Sequence, residues 1–221
     1  MKNKQVNVQQ ASEYFRDGMT VMVGGFFAVG TAENLVNAIA DKGIKDITLI
    51  SNDTAVPGKG VGKLIANRQI KKVVASHIGT NPETGKQMIA QELDVELVPQ
   101  GTLAERIRCG GSGLGGVLTP TGVGTVVEEN KQKMVVDDKE YLLEKPLRAD
   151  IALIKAKKAD KAGNIIYDKA ARNFNPLMAM AADTVLVETE ELVDIGEISP
   201  DEVMTAGILV DKIICVEDCG L

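Results

Sequence analysis

The chain has 221 residues, 44% of them hydrophobic and 25% charged, the proportions of a soluble globular protein with a sizeable core. Lys and Arg number 25 against 31 Asp and Glu, a net charge of −6, so no basic surface for nucleic acid is expected, and the single histidine, His77, excludes a multi-histidine metal site. Tryptophan is absent, aromatic residues are 3%, and the most apolar run, VMVGGFFAVG, is too short and too rich in glycine to cross a bilayer. The first ten residues, MKNKQVNVQQ, lack the apolar core of a secretory signal, so a cytoplasmic location is expected. Cys109, Cys215 and Cys219 form no C-x-x-C pair, which suggests reduced thiols rather than a disulfide framework or a zinc site.

Short apolar runs alternate with segments of helical period. Val21–Val23 predicts a strand, closed by Gly24-Gly25 and followed by a helix from Ala32 to about Lys42. Thr31 is the expected N-cap of that helix, Glu33 suits its first turn, and Gly43 its stop. Leu35, Ala38 and Ile39 share its sheet-facing side. Ile47–Ile50 and Val73–Ala75 read as strands, Glu83–Gln91 as a helix opened by Pro82, and Val95–Val98 as a further strand. Leu103–Arg108 predicts a short helix ending at Gly110. Within Lys133–Leu143, MVVDDKEYLL predicts a hairpin turning at Asp137-Asp138. Strands at Ile151–Ala156, Thr184–Val187 and Lys212–Val216 follow, with a helix at Phe174–Ala182 between the first two. The order implies one α/β domain over 1–221: a mainly parallel, buried sheet with helices on both faces and a small β-hairpin excursion.

Ligands of such sheets bind beyond the carboxyl ends of the strands. Gly24 and Gly25 stand there, and with the following helix N-terminus they could receive an anionic or carbonyl oxygen; a tight turn without a ligand is the alternative. Gly111, Gly113 and Gly116 match G-x-G-x-x-G literally, but the preceding AERIRC is helical and the following VLTPTGVGT is not. A dinucleotide site is therefore rejected in favour of a glycine loop over a binding cleft. Asn52 and Gln100 each follow an apolar strand, so their amides should project at the carboxyl edge, where an amide donates to an oxyanion without titrating; an Asx turn and a plain loop amide are the alternatives. His77 and Cys109 read as structural or surface residues, although Arg106 and Arg108 flank the thiol. Glu33, Glu83 and Glu105 sit at helix starts or on exposed faces, and none is marked as a nucleophile.

The run DGMTVMVGGFFAVGTAE, Asp17 to Glu33, resembles the signature of the family I CoA-transferases, matching at Asp17, Gly18, Val21–Val23, Gly24, Gly25, Phe26 and Gly30, with Ala32 where the family usually has proline. The likeness continues through SNDTA (51–55), ASHIGTNPETG (75–85), VPQGTLAERIRCGGSGLGG (98–116), LTPTGVGT (118–125) and ARNFNPLMAMAAD (171–183), essentially the whole chain. It implies the alpha subunit of an acetate or butyrate–acetoacetate type enzyme, paired with a beta subunit, usually as α2β2. The family's nucleophile is a glutamate in a Glu-Asn-Gly context on that beta subunit, and here Glu128-Glu129-Asn130 runs into Lys131 instead. The resemblance further implies that Asn52 and Gln100 support the oxyanion, that Gly24, Gly25, Phe26, Gly30, Gly113, Gly115 and Gly116 line the acyl and CoA site, and that coenzyme A is a substrate, with no metal or cofactor. The basic stretch Lys59, Lys63, Arg68, Lys71 and Lys72 could meet CoA phosphates or be an ordinary solvated face. A sugar-phosphate isomerase of related fold and a silent ligand-binding module are the rival assignments.

Overall fold

A computed structural model describes residues 3–216. In chain order it comprises α1 (Val8–Ser12), β1 (Thr20–Val23), α2 (Glu33–Lys42), β2 (Ile47–Ser51), α3 (Gly62–Ala66), β3 (Ile70–Ala75), α4 (Pro82–Ile89), β4 (Asp94–Leu97), α5 (Gln100–Gly111), β5 (Val117–Thr119), β6 (Lys133–Val136), β7 (Lys139–Glu144), β8 (Ala149–Asp160), β9 (Ile165–Ile166), α6 (Asn175–Met180), β10 (Ala182–Val193) and β11 (Lys212–Cys215). The main sheet runs β11-β10-β8-β1-β2-β3-β4 with every one of these pairs parallel, and β9 adds antiparallel to β8. The expected mainly parallel sheet is thus observed.

Each central strand is apolar on both faces because each face meets its own core. Val21 and Val23 of β1, Leu49 of β2 and Val73 of β3 pack with Leu35, Val36 and Ile39 of α2. The alternate residues Met22, Ile50 and Val74 pack on the other face with Leu103 and Ile107 of α5 and Met178 of α6. Gly43 ends α2 in the left-handed region at φ 69°, as its position implies.

The chain lays down β1 to β4 in one direction, then returns to place β8 against the far side of β1. The switch point therefore lies between β1 and β8, the usual place for a ligand crevice in an open α/β sheet. β8 and β10 are twelve residues each, longer than the apolar runs that announced them. Their outer halves carry matched charges in register, with Lys158 opposite Glu191 at 3.0 Å.

The hairpin at Asp137-Asp138 forms as expected, both residues having positive φ (49° and 58°) as a two-residue turn requires. It belongs to a three-stranded antiparallel sheet, β5-β7-β6, because Val117–Thr119 adds to β7. Arg106 of α5 anchors this sheet: its guanidinium donates to Glu96 Oε1 (2.7 Å) and to the Lys145 carbonyl (2.8 Å). Buried Glu144 completes the junction, accepting from Lys131 at 2.5 Å.

One expectation about cysteine is corrected. Cys109 is free and buried, but Cys215, half-buried on β11, is disulfide-bonded rather than reduced. Cys219 lies outside the described residues. No helix among the described residues is long and apolar enough to cross a membrane.

Candidate active site

The segment after β1 is a closed turn. Phe26 and Val29 exchange two backbone hydrogen bonds (3.0 and 2.9 Å), and Phe27 and Ala28 between them adopt positive φ of 49° and 69°. Side chains with a Cβ take that conformation at a cost of about 1–3 kcal/mol, so the turn must be held from outside. Asp53 holds it, accepting from the Phe27 amide at 3.0 Å. Phe26, Phe27 and Val29 project outward, and the Phe27 ring stands edge-on to Phe26 (4.9 Å) and to His77 (6.3 Å).

The glycines serve packing rather than ligand approach. The Gly24 amide donates to the Leu153 carbonyl (3.0 Å) and the Gly25 amide to Asn173 Oδ1 (3.0 Å), so neither is left for an oxyanion. A Cβ on Gly24 would lie 1.9 Å from Asn175 Oδ1, one on Gly25 2.1 Å from Thr31 Oγ1, and one on Gly30 2.3 Å from the Ala171 carbonyl. Asn173 and Asn175, both from the far end of the chain, stitch this loop down: Asn175 donates to the Gly30 carbonyl and Asn173 to that of Val29, each at 3.0 Å. We expect Gly24→Ala to destabilise the fold by about 3 kcal/mol through this overlap. Urea unfolding reads the change, and an unmoved midpoint would show that Asn175 is not seated against Gly24.

The start of α2 is likewise already occupied. Thr31 is not its cap; the Thr31 hydroxyl donates to the Gly24 carbonyl at 3.1 Å, and Ala32 takes the N-cap position without a side-chain bond. The open amides of Asn34 and Leu35 are taken by the carboxylate of Glu188 from β10 (2.8 and 3.3 Å). Glu188 is buried beside Lys155 at 3.4 Å. A cavity of about 460 Å³ opens here at the switch point, but Glu33, Asp168, Glu188 and Glu190 on its walls face only Lys155 and Lys157. That charge balance disfavours a carboxylate or a phosphate there.

The amides of Asn52 and Gln100 do meet. Gln100 Nε2 donates to Asn52 Oδ1 at 2.8 Å, and Ser76 Oγ donates to the same oxygen at 3.1 Å. Asn52 is buried and its Nδ2 donates to Asp53 Oδ2 at 2.7 Å, so it positions Gln100 rather than presenting a donor of its own. The Asx turn of this segment is made by Asp53, whose Oδ1 accepts from the Ala55 amide at 2.7 Å. Gln100 is exposed, and it is the first residue of α5 rather than part of a loop, because the helix begins three residues before Leu103. Pro99 leaves that helix without a side-chain cap, so the amides of its first turn and the positive end of its dipole open beside Gln100. Ser76, Asp53, Phe27 and His77 complete a cluster that sequence patterning did not single out for chemistry; Ser76, Asp53 and His77 all follow directly on the ends of β2 and β3.

Gly113, Gly115 and Gly116 are not part of this cluster. α5 has twelve residues, about 18 Å of rise, and carries the chain from the carboxyl edge to the opposite edge. Its end packs where β8 begins, with the Gly110 carbonyl accepting from Arg148 Nη1 at 2.9 Å. The glycine loop therefore lies at the opposite edge of the sheet from Gly24, Asn52 and Gln100. Much of the basic stretch is committed within the chain, Lys63 to Glu33 (2.8 Å), Arg68 to Glu92 and Lys72 to Glu96 (3.1 Å). Among the described residues no group of three His, Cys, Asp or Glu could hold a metal ion.

The model of the coenzyme A transferase family matches residues 6–215. The alpha subunit of acetate CoA-transferase from Escherichia coli is 59% identical over 218 residues, 99% of each chain. The alpha subunit of the acetoacetyl-CoA:acetate/butyrate CoA transferase of Clostridium acetobutylicum is 52% identical over 214 residues, 97% of this chain and 98% of that one. Among solved structures, an acyl-CoA transferase from Escherichia coli O157:H7 in a thioester complex with CoA superposes with a TM-score of 0.90 at 23% identity, over 99% of this chain and 48% of that longer one. Glutaconate coenzyme A-transferase from Acidaminococcus fermentans shares the fold at a TM-score of 0.83 and 18% identity, over 96% of this chain and 75% of that one.

Proposed function

The chain belongs to the coenzyme A transferase family as an alpha subunit, and from that premise we propose that it moves CoA between a short-chain acyl-CoA and a carboxylic acid of the acetate, butyrate or acetoacetate class. The names of its two similar relatives support that substrate class. The observation that carries the division of labour is the state of Asp53. It is the carboxylate within the amide cluster, it is buried, and both its oxygens are filled by the amides of Phe27 and Ala55 and the side chain of Asn52. A carboxylate so held is not free to attack a thioester, which supports the arrangement the family resemblance implies, a nucleophilic glutamate supplied by a beta subunit facing this edge.

In the reaction, the partner's glutamate carboxylate adds to the thioester carbonyl carbon and expels CoA as the thiolate, leaving a mixed anhydride. The thiolate adds to the glutamyl carbonyl and releases the first acid as its carboxylate. The second acid then attacks the glutamyl-CoA thioester, and the same steps in reverse give the new acyl-CoA. Every addition places negative charge on a carbonyl oxygen. Gln100 uses one amide hydrogen on Asn52, and its other, with the open first turn of α5, is the donor offered to that oxygen. Coenzyme A enters as a substrate, no metal or cofactor takes part, and a cytoplasmic α2β2 assembly is the form we assign.

An acyl-CoA plus acetate exchange assay tests this assignment on the chain alone and together with its beta subunit. Turnover in the mixture only is the expected result. Turnover by the chain alone would place the nucleophile here after all, and a stable complex without turnover would instead mark a silent binding module.

A further inference from the structure

β6 is one edge of the three-stranded sheet, unpaired on its outer side among the described residues, and the four residues Lys133–Val136 are exposed along its whole length. Three of them are apolar: Met134 is 38% exposed, Val135 66% and Val136 41%. Consecutive residues of a strand point to opposite faces, so apolar surface lies open on both sides of one short edge. Natural sheets blunt such edges with proline, bulges or charged side chains; β6 has no proline and no bulge, and Lys133 is the one charge it carries.

The backbone geometry fixes which groups face outward. The two-residue turn pairs Val136 with Lys139, and the ladder to β7 continues through Met134 and then Gln132, whose carbonyl accepts from the Leu143 amide at 2.9 Å. The N–H and C=O groups of Lys133 and Val135 therefore point away from β7. A two-fold axis perpendicular to the sheet through Val135 would let the Val135 residues of two copies exchange both bonds. In that register Met134 lies across from Val136 of the other copy on one face, and the two Val135 side chains meet on the other. The ends match as well. Lys133 of each copy, which within its own chain pairs with Glu128 (2.9 Å) and Glu140 (3.7 Å), falls opposite Asp137 of the other, and Asp137 makes no ion pair among the described residues.

We propose that β6 is an interface for a second copy of this chain, which pairs antiparallel through Val135 to give a continuous six-stranded sheet, β5-β7-β6-β6-β7-β5. Apolar residues meet apolar ones and a cation meets an anion under one symmetry operation, which is what self-recognition requires. The four-residue edge is short of the ~1,000 Å² a stand-alone interface needs, so it acts together with the contacts of the full assembly.

Cysteine cross-linking in the complete complex with the beta subunit tests the register. In Val135→Cys the two thiols sit across the axis about 5.5 Å apart at Cα, within disulfide reach, and mild oxidation joins most alpha chains into covalent pairs. In Met134→Cys the two positions are displaced along the edge to about 8 Å, and no such pair forms. Val135→Pro, which keeps the bonds to β7 but removes the outward N–H, reduces the mass of the complex to about half. The proposal is overturned if the Val135→Cys variant forms no alpha–alpha pair, if the Met134→Cys variant pairs as readily, or if the thiol introduced at position 135 joins the beta subunit instead.

Discussion

Replacing Gln100 with alanine lowers kcat of the assembled transferase by about 100-fold, on the order of 3 kcal/mol of transition-state stabilisation, without changing the mass of the complex. The magnitude is that of one preorganised oxyanion donor. Gln100 qualifies because its amide is oriented before substrate arrives: Asn52 Oδ1 takes one hydrogen at 2.8 Å, which aims the other. Asn52 in turn is fixed by Ser76 and Asp53. Asn52→Leu should therefore lower kcat too, but only through Gln100, so the double variant is no slower than the slower single one. Steady-state kinetics of the three variants decide the matter. Additive losses would give Asn52 a donor role of its own, and a Gln100→Ala enzyme with near wild-type kcat would remove the amide from the reaction.

The second large effect concerns stability. Glu188→Ala is expected to destabilise the chain by about 3 kcal/mol, since it reopens the start of α2 and leaves the largely buried Lys155 only the more exposed Glu190, at 3.4 Å, as a partner. Paired with Lys155→Met, the charge left behind disappears and much of the loss is recovered, leaving mainly that of the two helix amides. Urea midpoints of the single and double variants measure this. Equal midpoints for Glu188→Ala and the wild type would mean that water already satisfies the helix start.

Most of the sheet was legible because its strands obey a local rule. Val21–Val23, Ile47–Ile50 and Val73–Ala75 are apolar at nearly every position, which a strand buried on both faces explains. The outer halves of β8 and β10 were not, since Lys158, Glu188 and Glu191 look like surface residues until the two strands lie in register. The start of α5 was hidden by Pro99 and Gly101, poor helix formers that are tolerated in a first turn. In the site, the amides of Asn52 and Gln100 were visible from their place after apolar strands. The role of the glycines was not. A pair of glycines after a strand looks the same whether a ligand or an asparagine side chain approaches it, and Asn173 and Asn175 are far away in sequence. The same distance concealed Glu188 as the cap of α2, so Thr31 looked like the residue for the task.

The position of β1 sets a schedule for making this protein. It precedes the other described strands in the chain and lies between β2 and β8, so its second edge stays open until β8 emerges. Thr20 and Asp150, which bond across that boundary, are 130 positions apart. At roughly 5–20 residues per second the nascent chain carries this bare apolar strand for about 10 seconds. Fragments ending before β8 would keep it permanently, which makes them substrates for chaperones and aggregation rather than for autonomous folding.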